Sequence, residues 1–124
     1  MSSTLIDTPT LFIDGKWCAS SERKTRATYN PYDASVIMHV DEATADDAKR
    51  AVTSAKTFFN TSDWPHKTYE ERCALLDRMA DTLQQHKAEL ARIETIDTGK
   101  TLGESEIDID DVTQVFRFYA KEAI

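Results

Sequence analysis

The sequence predicts an N-terminal β-hairpin and further short strands, followed by three α-helices. Two apolar runs flank Asp14-Gly15, a dipeptide that suits a two-residue hairpin turn. From Thr44 onward the spacing of apolar residues changes from alternation to about three and a half residues, which is the helical period. After this change a threonine is followed repeatedly by an acidic residue three positions later, the pattern of a capping box at a helix start.

The strands are predicted from the first part of the chain. Leu11-Phe12-Ile13 and Lys16-Trp17-Cys18 form the hairpin, because Asp-Gly between them adopts the positive φ angles of a type I′ turn. Residues 26–29 are predicted to extend again before Asn30-Pro31 forces a turn, and residues 36–40 form a further strand. Residues 1–9 are polar and are expected to form a loose N-terminus.

Three helices are predicted, over roughly residues 44–59, over residues 68–98 and from residue 101 onward. Their start signals are Thr44 with Asp47, Thr68 with Glu71, and Thr101 with Glu104. The predicted buried faces are Ala48, Ala51, Val52, Ala55 and Phe59 in the first helix, Leu76, Met79, Leu83, His86, Leu90 and Ile93 in the second, and Val112, Val115, Phe116, Tyr119 and Ala123 in the third. Gly99 suits the position that ends the second helix.

The last predicted helix reaches Ile124 with its apolar stripe unbroken. No glycine, proline or basic turn closes it. We expect from this pattern that the chain is cut from a longer one, and the alternative is a terminal helix docked on its own core.

Composition and charge exclude several classes of function. The chain has 124 residues, of which 40% are hydrophobic and 30% charged, and its net charge of −7 repels nucleic-acid phosphates. No run approaches the ~20 apolar residues of a membrane span, and the start lacks the pattern of a secretion signal. The spacing of Cys18 and Cys73 fits neither a disulfide framework nor a zinc site. We therefore expect a cytoplasmic protein that binds neither nucleic acid nor membrane.

Asp97 departs most clearly from the pattern around it. It follows Ile93 by four residues, so it places a carboxylate where the apolar stripe of the second helix would continue. It also lies in the last helical turn, where the helix dipole disfavours an anion by ~0.3–1 kcal/mol. Three explanations remain open: a solvated helix end, an ion pair with Lys100, or a cation bound by the carboxylate and backbone carbonyls.

The histidines and cysteines are predicted to be structural. His86 lies on the apolar stripe of the second helix as a packing residue, and its distance in sequence from His39 and His66 does not suit zinc. Cys73 is expected to be a small buried hydrophobe beside that stripe. Neither it nor Cys18 has a neighbouring base that would activate a thiol.

Five carboxylates lie within the eight residues from Glu104 to Asp111. The run lacks the glycine and the final glutamate of a calcium-binding EF-hand, so we expect a solvated acidic face at a helix start. The sequence contains no glycine-rich nucleotide loop and no hydrolase motif. We therefore predict no catalytic residue and no cofactor-binding residue in this chain.

From about residue 10 onward the chain resembles the N-terminal part of the NAD(P)-dependent aldehyde dehydrogenases. The motifs that carry this resemblance are Phe12-Ile13-Asp14-Gly15-Lys16-Trp17, Tyr29-Asn30-Pro31-Tyr32-Asp33, Val36-Ile37, Glu42-Ala43-Thr44, Trp64, Glu94-Thr95-Ile96-Asp97-Thr98-Gly99-Lys100 and Phe116-Arg117-Phe118-Tyr119-Ala120. Within the family, Asn30-Pro31-Tyr32 and residues 97–102 followed by Glu104-Ser105 are most similar to the betaine aldehyde dehydrogenases. The resemblance implies an α/β fold.

The resemblance also implies a place in that fold and a reaction. Residues 10–124 would form the N-terminal segment of a coenzyme-binding domain, and the hairpin at residues 11–18 would contribute to the oligomerisation region. The family oxidises an aldehyde to a carboxylic acid with NAD(P), using a cysteine nucleophile and a general-base glutamate. Both would lie beyond Ile124, so we expect this chain alone to be inactive and not to bind NAD(P).

A monovalent-cation site is implied as well. Family members build it from backbone carbonyls just before the Asn-Pro turn and from the aspartate near the end of the long helix. Those positions are Thr28, Tyr29 and Asp97 here, and the expected ion is potassium or sodium.

These patterns lead to two hypotheses about function, which belong to different classes. A third hypothesis is a degenerate gene product without stable function. The first is the N-terminal fragment of a betaine-aldehyde-type aldehyde dehydrogenase. The second is a non-catalytic interaction module that associates with a full-length subunit or with itself. Leu11, Ile13 and Trp17 would be left exposed in such a fragment and would favour association.

Overall fold

The structure is a computed structural model that describes residues 10–122, with side chains described as far as Lys121. The predicted loose segment 1–9 and the end of the last helix at Ala123-Ile124 lie outside the described residues. The chain divides into two compact units, Met1–Pro65 and His66–Ile124. No helix within residues 10–122 is long and apolar enough to cross a membrane.

The first unit contains two small antiparallel sheets and one helix. Strands β1 (Leu11–Ile13) and β2 (Lys16–Cys18) form one pair, and β3 (Thr25–Tyr29) and β4 (Val36–Asp41) form the other. Helix α1 covers Ala45–Thr61. The prediction of a hairpin and two later strands is confirmed.

The hairpin turn has the predicted geometry. Asp14 has a φ angle of 57° and Gly15 one of 71°, as a type I′ turn requires at both central residues. Leu11 pairs with Cys18 and Ile13 with Lys16, so the register places two residues at the turn. The local dipeptide therefore sets the register of the whole hairpin.

The second unit is an α-helical bundle. Helices α2 (Tyr69–Gln85), α3 (Lys87–Thr98) and α4 (Leu102–Glu122) follow the short 3₁₀ helix Trp64–His66. Helices α2 and α3 both pack on α4. The fold class stands as predicted, but the described residues form four α-helices instead of three.

The prediction of one helix over residues 68–98 is wrong at His86. This residue has φ −102° and ψ 10°, and its side chain makes no capping bond to α3. The break divides the predicted helix into two shorter ones that both contact α4. His86 is exposed, with its Nδ1 3.4 Å from Glu89 Oε2, so its predicted role as a packing residue on the buried stripe is also wrong.

All three predicted helix starts are confirmed. The Asp47 amide donates to Thr44 Oγ1 at 3.2 Å, and the Thr44 amide donates to Asp47 Oδ2 at 2.9 Å. The same reciprocal pair joins Thr68 with Glu71 at 3.3 and 2.8 Å, and Thr101 with Glu104 at 3.3 and 3.2 Å. Gly99 ends α3 with a φ angle of 79°, as predicted.

Small residues form the buried part of the helical bundle. The residues buried in α2, α3 and α4 are Ala80, Ala91, Ser105, Thr113 and Ala120. The predicted stripe of α4 is therefore wrong: Val112, Val115 and Tyr119 are 44%, 53% and 59% exposed, and Phe116 is half-buried. Small side chains allow helix axes to approach closely, so they occupy the interface that larger side chains would hold open.

The predicted buried face of α1 is also wrong within the described part of the first unit. Ala48, Ala51, Val52, Ala55 and Phe59 are all exposed. Asp47 is the residue of this helix that is buried. Polar contacts of Asp47 therefore attach α1 to the loop at Ser21, while its apolar residues keep exposed surface.

Candidate functional site

The predicted cation ligands lie on two different units. Thr28 and Tyr29 belong to β3 in the first unit, where the pairing with β4 shifts register between these two residues. Asp97 lies in the last turn of α3 in the second unit and is exposed. The potassium or sodium site that would combine them stays a prediction.

The ion-pair explanation for Asp97 is wrong. The Lys100 ammonium donates to Glu94 Oε1 at 3.1 Å and to Asp108, instead of pairing with Asp97. Hydrogen bonds to these two carboxylates raise the pKa of Lys100, and Asp108 makes the larger contribution. The exposure of Asp97 agrees with a solvated helix end. A cation bound by its carboxylate and by backbone carbonyls stays a prediction.

Within residues 10–122, no group of three or more histidine, cysteine, aspartate or glutamate side chains could hold a metal ion.

Part of the acidic run is paired across the bundle, which corrects the prediction of a solvated face. The Lys87 ammonium on α3 donates to Asp110 on α4 at 2.6 Å, and Gln84 donates to the same carboxylate at 2.9 Å. Both hydrogen bonds lower the pKa of Asp110, and Lys87 makes the larger contribution. The α4 carboxylates Asp108 and Asp110 thus help to attach α3 to α4.

The two cysteines are free and half-buried. Cys73 lies in a small depression with Tyr69, Glu70 and Asp77, and its thiol is close to the Tyr69 hydroxyl. Burial of that hydroxyl raises the pKa of Tyr69 to about 12, with a further contribution from Cys73. A phenol that stays protonated cannot act as the base that a catalytic thiol needs.

Asp47 forms a polar junction that the sequence did not reveal. Its carboxylate is 1% exposed and accepts hydrogen bonds from the Ser21 amide at 3.1 Å, the Ser21 hydroxyl at 2.8 Å and the Thr44 amide at 2.9 Å. Arg50 adds an ion pair at 2.7 Å. The hydrogen bonds from the Thr44 amide, which contributes most, and from Ser21 hold the pKa of Asp47 well below its usual range. Sequence reasoning found the cap but not its bond to the loop at Ser21.

Asp41 forms a second junction at the end of β4. Its carboxylate accepts from the Thr10 amide and the Ser20 amide, both at 2.9 Å. Both hydrogen bonds lower the pKa of Asp41, and the Thr10 amide makes the larger contribution. The two ends of the hairpin are therefore fixed to the β3–β4 pair through one side chain, for which the sequence carried no signal.

An apolar cleft of about 530 Å³ lies between the hairpin turn and α1. Its walls are Phe12, Ile13, Asp14, Gly15, Ala51, Ser54, Ala55 and Phe58, and we call it the α1–hairpin cleft. The Ser54 hydroxyl donates to Asp14 at 3.1 Å and links the two walls. Phe12 and Trp17 pair across the hairpin and meet edge to face with ring centroids 5.1 Å apart.

The sequence of this chain is similar to those of known proteins. Residues 17–124 match the model of the aldehyde dehydrogenase family. The chain is 37% identical over 111 residues to a betaine aldehyde dehydrogenase of Bacillus subtilis, and 40% identical over 111 residues to aldehyde dehydrogenase family 2 member B4, mitochondrial, of Arabidopsis thaliana. These matches cover 90% and 89% of this chain.

A solved structure shows the same fold. The betaine aldehyde dehydrogenase of Staphylococcus aureus in complex with NAD⁺ superposes with a TM-score of 0.86 at 43% identity, over 88% of this chain. The chain spans 22% of that structure, and 23% and 21% of the two curated relatives. Since the family model covers most of the chain, the protein belongs to the aldehyde dehydrogenase family.

Proposed function

We propose that this chain is the N-terminal part of a betaine-aldehyde-type, NAD(P)-dependent aldehyde dehydrogenase. The observation that carries the proposal is the 43% identity to the Staphylococcus aureus betaine aldehyde dehydrogenase over 88% of the chain. In the complete enzyme the reaction would be oxidation of an aldehyde to a carboxylic acid. The role of this segment would be to support the fold around the catalytic residues.

The residues of this chain do not fit a dinucleotide. Phosphate binding in nucleotide folds needs a glycine-rich loop at a helix start, where backbone amides can approach the oxygens. The three glycines here are Gly15 in the hairpin turn, Gly99 at the end of α3 and Gly103 inside α4. We therefore propose that NAD(P) binding and aldehyde oxidation both need residues outside this sequence.

An enzyme assay tests this proposal directly. The isolated chain is incubated with NAD⁺ and betaine aldehyde while NADH formation is followed by absorbance, with the full-length Staphylococcus aureus relative as the positive control. We expect no turnover above the buffer background and no heat of NAD⁺ binding by calorimetry. Turnover that persists after repurification would contradict the proposed division of roles.

A second candidate function is a non-catalytic module that associates with a full-length subunit. The exposure of large apolar side chains favours it, since Phe12 is 59% exposed, Trp17 61% and Val52 68%. Copurification of the tagged chain with a coexpressed full-length relative would support this function. Consistent recovery of the two proteins in separate fractions would remove it.

A further inference from the structure

A second cavity, of about 680 Å³, lies between the hairpin and α1, and we call it the cationic pocket. From the hairpin, Lys16 and Trp17 line it. Helix α1 contributes two basic residues and two threonines at the spacing of one helical face: Lys49, Arg50, Thr53 and Thr57. This face is polar and lies opposite the face that carries Val52 and Phe59.

The lining of the cationic pocket is positively charged, in a chain whose net charge is −7. The charged residues among the described lining are three cations, Lys16, Lys49 and Arg50, and one carboxylate, Asp14. The Asp14 carboxylate already accepts a hydrogen bond from the Ser54 hydroxyl at 3.1 Å. The local field therefore attracts a small anion, although the chain as a whole repels one.

The three cations differ in how far they are already paired. Arg50 donates to Asp47 at 2.7 Å, and its guanidinium keeps further N–H donors. Lys49 pairs with Asp46 at 3.2 Å, but both side chains are mostly exposed, and such an ion pair contributes little. Among residues 10–121, Lys16 takes part in no ion pair. The pocket can therefore accept one more negative charge.

The cationic pocket also offers an aromatic surface and hydroxyl groups. The Trp17 side chain is 61% exposed, and Phe12 meets its indole edge to face. The remaining indole surface can stack on a planar ring. On the wall formed by α1, the hydroxyls of Thr53 and Thr57 can donate hydrogen bonds to an anion. The volume of the pocket is within the range of small-molecule sites.

We propose that the cationic pocket binds a small aromatic carboxylate. The carboxylate of this ligand interacts with Lys16 and Lys49, with Arg50 as a further donor, and its ring lies against Trp17. A monocarboxylate suits the pocket better than a phosphate monoester, because two of the three cations already have carboxylate partners and Asp14 repels a second negative charge. The inference does not rest on the proposed function.

Nuclear magnetic resonance titration of the natural chain tests the site. Benzoate is added to the ¹⁵N-labelled chain at constant pH and ionic strength, and the backbone amide shifts are followed. We expect saturable shifts in residues 16–18 and 49–57, with a Kd of about 1 mM or lower. Benzamide, which lacks the charge, and acetate, which lacks the ring, should each bind at least about tenfold more weakly.

Substitutions of single lysines separate this site from general charge attraction. Lys16→Gln should weaken benzoate binding about tenfold, because it removes the cation without an ion-pair partner. Lys16→Arg keeps the charge and should change the Kd by less than about threefold. Lys56→Gln is the matched control, since it removes the same charge from an exposed position of α1 outside the pocket lining, and it should leave the Kd within about twofold. The amide spectrum of each variant shows separately whether its fold is retained.

Three results would overturn the proposal. The first is an equal loss of affinity in Lys16→Gln and Lys56→Gln, because the net charge of the chain would then explain the binding. The second is a titration that does not saturate by about 20 mM benzoate, or that shifts only other parts of the chain. The third is tighter binding of phenyl phosphate than of benzoate, which would remove the assignment of a monocarboxylate. All three are measured without NAD⁺ or an aldehyde, so they leave the proposed function untouched.

Discussion

Replacement of Ala91 by leucine tests whether α3 and α4 depend on small residues for their contact. Ala91 has no exposed surface. It lies one turn after Lys87, which bonds to Asp110, and one turn before Thr95, which donates to Ser105 at 3.0 Å across the same interface. A larger branched side chain at this position must strain the packing or push α3 away from α4.

The expected loss of stability follows from these contacts. Overpacking of a well-packed core costs ~1–3 kcal/mol. Separation of the helices would also weaken the hydrogen bond between Thr95 and Ser105, which contributes about 1 kcal/mol. We therefore expect Ala91→Leu to lower the free energy of unfolding by about 2–4 kcal/mol. Ala88→Leu, at an exposed position of α3, is the matched control and should change it by less than about 0.5 kcal/mol.

Urea unfolding followed by far-UV circular dichroism measures the difference. With a slope of about 2 kcal/mol per molar urea, the expected loss moves the unfolding midpoint down by about 1–2 M. Midpoints for Ala91→Leu and Ala88→Leu that agree within about 0.2 M would refute the reasoning, because the same side chain would then be tolerated equally at a buried and an exposed position.

Three further predictions concern single side chains. Because hydrogen bonds hold the folded-state pKa of Asp47 below its unfolded value of about 3.9, its carboxylate stabilises the fold above that pH, and the stabilisation is lost as the pH falls toward the folded pKa. The difference in denaturation midpoint between the natural chain and Asp47→Asn should therefore be larger at about pH 6 than at about pH 3, and a pH-independent difference would contradict this. Asp97→Asn should raise the free energy of unfolding by ~0.3–1 kcal/mol in a large organic-cation chloride, because it removes an anion from the negative end of α3. If the predicted potassium site forms, the same variant should lower the melting temperature in potassium chloride, and an unchanged effect of the two salts would argue against the site. Thr68→Ala should cost about 1 kcal/mol of stability through loss of its capping box, measured by the same urea titration with Thr53→Ala as an exposed control in α1.

Local signals in the sequence were sufficient for the strands and the helix starts. Asp14-Gly15 determines its own turn through backbone conformation, and Thr101 with Glu104 determines a helix start through two hydrogen bonds over three residues. Neither signal depends on what the segment packs against. Such features can be predicted without knowledge of the rest of the fold.

Features that depend on packing were not predictable in the same way. The apolar spacing continues through His86, although the backbone bends there so that α2 and α3 can both contact α4. In α4 the large apolar residues suggested one face, but Ser105 and Thr113 occupy the buried one because small side chains allow close contact between helices. Hydrophobic periodicity indicates which face of a helix is apolar, but it does not indicate which face packs against another element.

The residues of the candidate site differ in the same way: a local pattern revealed one of them, and contacts between distant parts of the sequence determine the others. Asp97 was found because it interrupts a pattern, and its exposure in the second unit agrees with that anomaly. The carboxylates of Asp41 and Asp47 were missed in their joining roles, because their partners Thr10, Ser20 and Ser21 lie more than twenty residues away in sequence.

The division of the chain into two units gives each of them its own optical signal. Both tryptophans of the sequence, Trp17 and Trp64, belong to the unit Met1–Pro65. Helices α2, α3 and α4 belong to the unit His66–Ile124 and supply most of the helical ellipticity. Indole fluorescence therefore follows the first unit and the far-UV signal chiefly the second, so an unlabelled sample yields a separate unfolding curve for each.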